Sequence, residues 1–107
     1  MDRTVNWTLA ALADLEAAGD YIARDSPHYA ASLITEILAA GRSLAVLSER
    51  GRHVPELTDP HLRELIVSPY RLIYRVEGDG VWILALIHAR RDFGTAWRKR
   101  DSLAELS

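Results

Sequence analysis

Apolar residues recur at helical spacing in the first half of the chain and at alternating spacing in the second. Leu12, Leu15, Ala18 and Ile22 lie on one stripe of TLAALADLEAAGDYIARD, which predicts an amphipathic helix over about residues 9–24. Thr8 is placed to cap it, and Trp7 and Leu12 have the spacing of a hydrophobic staple. Gly19 costs about 1 kcal/mol relative to alanine inside a helix. Beside Ala18 it either leaves a shallow place for a close backbone approach or is a tolerated glycine. Ser26 and Pro27 then supply a capping hydroxyl and a proline suited to a first helical position. Ala30, Leu33, Ile34, Ile37, Leu38, Gly41 and Leu44 continue as one stripe until SERGR breaks the pattern. Two helices so closely connected lie antiparallel, and neither covers the other's apolar stripe completely, so both are expected to rest on a sheet.

That sheet is predicted from LRELIV, YRLIYRV and VWILALIH. Pro69 ends the first strand or holds it at an edge, and EGDG reads as a tight hairpin. Alternation places Tyr70, Leu72, Tyr74 and Val76 on the face under the helices, and Arg71, Ile73 and Arg75 on the other. If Val76 pairs with Val81, then Arg75 faces Trp82, Ile73 faces Leu84 and Arg71 faces Leu86, unless a bulge shifts the register. On this register His88 and Arg90 continue the line of arginines over an open sheet face. Arg75 is also placed for a cation–π contact with Trp82. The fold class is therefore α+β, with a helical hairpin packed on one face of a small antiparallel sheet.

The chain has 107 residues, 49% hydrophobic and 26% charged, enough for one domain with a modest core; residues 1–107 are read as that domain, with about 96–107 as a charged tail. Its net charge of −2 is unevenly distributed: residues 1–60 carry nine acids and five bases, residues 61–100 four acids and eight bases. The positive second half suits an acidic protein surface or nucleic acid, or is a solvated face of a chain that uses twelve arginines and one lysine. Cysteine is absent, so disulfide and thiolate chemistry are excluded. MDRTVNW has no apolar leader pattern and Val81–Ile87 is too short to span a bilayer, so the reading is cytoplasmic, with no membrane association.

Little in the sequence carries catalytic chemistry. His28, His53, His61 and His88 are scattered without metal-ligand spacing, no GxSxG turn or phosphate-binding glycine loop occurs, and no cofactor or metal is expected. His88 at the end of an apolar strand reads as a packed histidine, and Asp14, Glu16 and Asp20 as a solvated helix face. Any chemistry would fall to the arginines.

WTLAALADLEAAGDYIARDSP, ERGRHVPEL, LREL, PYRLIYRV and IHARRDF, in this order and spacing, resemble the ParE/RelE toxin superfamily, and its ParE-like branch in particular, over roughly residues 5–95. The resemblance implies a short first strand near Val5 and Trp7. It also implies a toxin of a bacterial type II toxin–antitoxin system, neutralised by a ParD-like antitoxin encoded alongside. RelE-like members cleave messenger RNA on the ribosome with lysines on the strand matched by LREL, arginines matched by Arg71 and near Arg91, and a later tyrosine. Here the lysine positions hold Leu62 and Glu64, and the tyrosine position falls on or near Trp97. Leucine and tryptophan cannot carry the proton such cleavage needs. ParE-like members lack that set, and those studied bind and block DNA gyrase.

Under that resemblance no residue is catalytic. Arg71, Arg90, Arg91, Trp97, Arg98 and Lys99 are expected to face the target, DNA gyrase or topoisomerase IV. Leu15, Ala18, Gly19, Ile22 and Arg71 are expected to meet the antitoxin, itself partly acidic and amphipathic. Trp97 is either an interface anchor or a patch over the sheet's open edge. Arginine-rich cations also suit phosphate, so direct nucleic-acid contact within a topoisomerase complex is compatible. A RelE-like interferase and a non-toxic antitoxin-binding module are the alternatives.

Overall fold

The computed structural model describes residues 2–106, and side chains as far as Arg100. After a short strand β1 (Thr4–Trp7) come helices α1 (Leu9–Ala23) and α2 (Pro27–Ser43). Both helices begin as their capping residues dictate: the hydroxyls of Thr8 and Ser26 accept from the amides of Ala11 and Tyr29, each at 3.1 Å. The Thr8 hydroxyl also donates to the Ile83 carbonyl, tying the start of α1 to the sheet. Of the residues expected to form a staple, Leu12 is solvent-exposed, while Trp7 packs into the core between the sheet and the helices. A Cβ at Gly41 would stand 3.2 Å from the Trp7 ring and 3.1 Å from Ile83, so the indole occupies the space that this glycine leaves on α2. Gly19 meets the Ile34 side chain of α2 in the same way, at an ordinary contact distance of 3.4 Å.

The remaining elements are β2 (Arg52–His53), β3 (Leu62–Val67), β4 (Tyr70–Glu77), β5 (Gly80–His88) and α3 (Phe93–Leu106). The strands form one sheet in the order β1-β5-β4-β3-β2, antiparallel except for β1, which runs parallel to β5. Val76 pairs with Val81 and Arg75 with Trp82, as expected from the hairpin. A bulge in β5, opposite Ile73 and Tyr74, then leaves Leu84 unpaired, so Ile73 faces Ala85 and Arg71 faces Ile87. One extra residue uses up one step of the pleat, and every later β5 side chain changes face. His88 therefore pairs with Tyr70 and turns toward α1, away from Arg71.

Each face of the sheet has its own core. Under α1 and α2 lie Leu15, Leu33, Ile37, Leu44, Leu72, Tyr74 and Ile83. The opposite face, expected to be open, carries a second cluster of Val54, Leu62, Ile73, Ala85 and Ile87 closed by Phe93 and Ala96. The segment expected as a charged tail is helix α3, whose Phe93, Ala96 and Trp97 recur at helical spacing against the sheet. Asp92 starts it by accepting from the Thr95 amide at 3.2 Å. Ser107, the last residue of the expected tail, lies outside the described residues.

Candidate functional site

Arg71 is placed by β4 on the α3 side of the sheet, and its guanidinium is spent internally. Nε donates to Glu64 at 2.6 Å, while the two terminal nitrogens form a fork on Glu56 at 2.8 and 2.6 Å. Phe93 covers it, with the guanidinium carbon 4.5 Å from the ring centroid. Glu64, which has no exposed side-chain area, also accepts from Nε of Arg52 at 2.7 Å. The Arg71 fork holds the Glu56 carboxyl below its ordinary range, and the same bonds push the Arg71 pKa up against the opposing effect of burial. The expected cation line over an open face is thus absent: Arg71 is only 9% exposed, and Arg75 pairs with Asp59 at 3.0 Å.

Arg90, Arg91, Arg98 and Lys99 are exposed just beyond the end of β5. A groove of about 520 Å³ runs between α1 and the edge of β5, lined by Asp14, Ala17, Ala18, Leu86 and the tyrosines Tyr21 and Tyr70, with His88, Arg90 and Arg91 at its end. A smaller cleft of about 180 Å³ continues from it, where Arg91 meets Lys99 and Arg100 of α3. Asp14 accepts from the Leu86 amide at 2.9 Å and from Arg100 at 2.5 Å. The His88 Nδ1 accepts from the Arg90 amide at 3.1 Å, and its ring meets Tyr70 edge-on at 5.1 Å, so His88 is packed and hydrogen-bonded. Burial raises the pKa of Tyr70 above its ordinary value.

These contacts sort the expected site residues. Arg90, Arg91 and Lys99 share the groove system, and Arg98 is exposed on α3. Trp97 stacks on Phe93 with ring centroids 5.8 Å apart and packs on the second core, so it patches the sheet's face, not its edge. Of the residues expected to meet an antitoxin, Ala18 lines the groove, whereas Leu15 and Ile22 belong to the core and Gly19 faces Ile34. Sequence reasoning missed Asp14, Arg100, Tyr21 and Glu56. Asp14 stands four residues before Ala18, which puts both on one side of α1; that spacing was the available signal. Among the described residues no group of His, Asp and Glu is gathered as a metal site, and no helix is long and apolar enough to cross a membrane.

The same chain segments, β1 through the start of α3, are matched by a family model. It is described as "ParE toxin of type II toxin-antitoxin system, parDE" and covers residues 5–93. This chain belongs to the ParE toxin family. "Toxin RelE2" of Caulobacter vibrioides is 43% identical over 88 residues, covering 81% of this chain and 96% of that protein. "Putative toxin Y4kP" of Sinorhizobium fredii is 34% identical over 93 residues, covering 85% and 93%. A solved structure titled "Chromosomal ParDE TA system from P. aeruginosa" superposes with a TM-score of 0.67 at 27% identity, over 80% of this chain and 95% of that one. The ParE fold thus extends through the sheet and helical hairpin, and a cognate antitoxin partner follows from membership in a toxin–antitoxin family.

Proposed function

We propose that this ParE-family toxin acts by binding a type II topoisomerase, DNA gyrase or topoisomerase IV, and performs no covalent chemistry. The observation that supports this reading is the state of Arg71. A guanidinium that stabilises a phosphoryl transition state must meet the developing negative charge. Here two carboxylates and a phenyl ring already occupy Arg71, and the position aligned with a lysine in the nuclease branch holds the buried Glu64. Arg90, Arg91 and Lys99, exposed around one cleft system, remain as the target-facing cations, with Arg98 beside them on α3. Arginine is a common anchor in protein interfaces and also suits phosphate, so this surface fits an enzyme that itself holds DNA.

The name of the Caulobacter relative, "Toxin RelE2", supports a second reading, a RelE-like messenger-RNA interferase. Two assays on the same purified toxin separate them. Supercoiling by gyrase should be inhibited or arrested with cleaved DNA, and Arg91→Ala or Lys99→Ala should weaken that effect at least tenfold. Ribosome-dependent messenger cleavage, lost on Arg91→Ala, together with intact supercoiling would overturn the topoisomerase reading.

A further inference from the structure

Helical spacing shapes the groove beside α1. Asp14, Ala17, Ala18 and Tyr21 recur at intervals of three and four and share one side of the helix, and the two alanines leave room that longer side chains would fill. Leu86 and His88 face them from β5, two positions apart and so pointing the same way. The resulting volume of about 520 Å³ lies within the roughly 300–1,000 Å³ usual for small-molecule sites. Its walls are largely aromatic. Tyr21 is 65% exposed, although Arg24 stands 5.9 Å from its ring centroid, so it offers open aromatic surface. Tyr70, edge-on to His88, is fixed in the opposite wall. Because His88 Nδ1 accepts from the Arg90 amide, the neutral ring carries its proton on Nε2, as a hydrogen-bond donor.

The smaller cleft has the opposite character. It shares Asp14, Leu86 and Arg91 with the groove and adds Lys99 and Arg100 from one turn of α3. Its acid, Asp14, is engaged with Arg100. Among the described residues the ion pairs take Arg52, Arg71, Arg75 and Arg100, and none takes Arg90, Arg91 or Lys99. Three exposed cations thus adjoin an aromatic chamber. A wholly apolar ligand would leave the cations unused, and an inorganic anion would leave the chamber unfilled.

We infer that the two hollows together bind a nucleoside diphosphate, with its base in the groove against Tyr21 and its phosphates on Arg91 and Lys99, Arg90 standing at the rim. Bases stack on aromatic side chains whatever their identity, and guanidinium forks match phosphate oxygens. A diphosphate carries about three negative charges near neutrality, which the three cations balance. The inference stands apart from the identity of the toxin's target. A nucleotide there would cover cations assigned to the topoisomerase, so ligand and target would compete for one surface.

Calorimetric titration of the full-length chain with ADP, adenosine and inorganic pyrophosphate tests this. ADP should bind about tenfold or more tightly than either fragment, since each fragment fills one hollow only. Tyr21→Ala should weaken ADP and adenosine by about tenfold and leave pyrophosphate unchanged, whereas Lys99→Ala should weaken ADP and pyrophosphate by about tenfold and leave adenosine unchanged. Both positions are exposed, so Tm should not move. ADP binding no tighter than that of pyrophosphate and indifferent to Tyr21→Ala would reduce the site to a cation cluster and overturn the proposal, as would no binding of ADP. A single-stranded oligonucleotide that bound about tenfold more tightly than ADP would also overturn it, assigning the hollows to a strand. Supercoiling is read separately, so each of these results leaves the topoisomerase reading standing.

Discussion

Replacing Glu64 by glutamine should destabilise the fold although it removes no atom from the packing. The Glu64 carboxylate is fully buried and accepts from Arg71, whose side chain is 10% exposed, and from Arg52, whose side chain is 62% exposed. The Arg52 bond faces water and is worth at most about 1 kcal/mol. The Arg71 bond is charge-assisted and buried, worth about 1.5–3 kcal/mol. Glu56 stays in place to neutralise Arg71, so the loss should fall below the roughly 3–5 kcal/mol of a wholly broken buried pair. Glu64→Gln should therefore cost about 2–4 kcal/mol, read as a lower urea midpoint at unchanged m-value. An Arg71→Met/Glu64→Leu double variant should recover much of that loss, because well-packed apolar residues can replace a buried ion pair at little net cost. A Glu64→Gln midpoint shift equivalent to less than about 0.5 kcal/mol, the range of an ordinary surface substitution, would refute the assignment of Glu64 as the internal partner of Arg71.

Acidification should act on the same network through Glu56. Its pKa is depressed in the folded state from 4.5, so its stabilising contribution is complete above that value and is lost as pH falls through the folded pKa. Because its side chain is 42% exposed, the contribution should stay below about 1 kcal/mol, visible as a shallow loss of stability that Glu56→Gln abolishes in a pH series of urea melts. Tyr74→Phe should cost about 1–3 kcal/mol, since the buried Tyr74 hydroxyl accepts from the Gly51 amide at 2.9 Å and no water reaches it; faster exchange at Gly51 is the check. Gly51→Ala should be worse tolerated, because its Cβ would lie 2.6 Å from the Glu64 carbonyl and force the backbone apart, lowering Tm in a thermal melt. Phe93→Ala should cost about 3–5 kcal/mol by emptying the second core, and should also expose Arg71 and Trp97, detectable as a red shift in tryptophan fluorescence.

The pattern of apolar residues determined much of this molecule without help from tertiary contacts. Helical spacing and the caps Thr8 and Ser26 set α1 and α2, alternation set β3 through β5, and the ordered motifs carried the family resemblance. These signals are local, since each depends on residues within a few positions of one another. What only the tertiary structure decided is where the charges go. The bulge opposite Ile73 and Tyr74 leaves no mark in the alternating run VWILALIH, yet it sends His88 to the α1 side, away from Arg71. The partners of Arg71 come from positions 7 and 15 residues earlier, and Asp14 reaches Arg100 across 86 residues, distances over which periodicity carries no information. A basic stretch such as FGTAWRKR is weakly amphipathic by itself; it becomes a core helix because the sheet beneath offers Ile73, Ala85 and Ile87 for Phe93, Ala96 and Trp97 to cover. Folding thus divides the cations of the second half into those neutralised inside, led by Arg71, and those left exposed at the end of β5, because burial requires a paired charge and the surface does not.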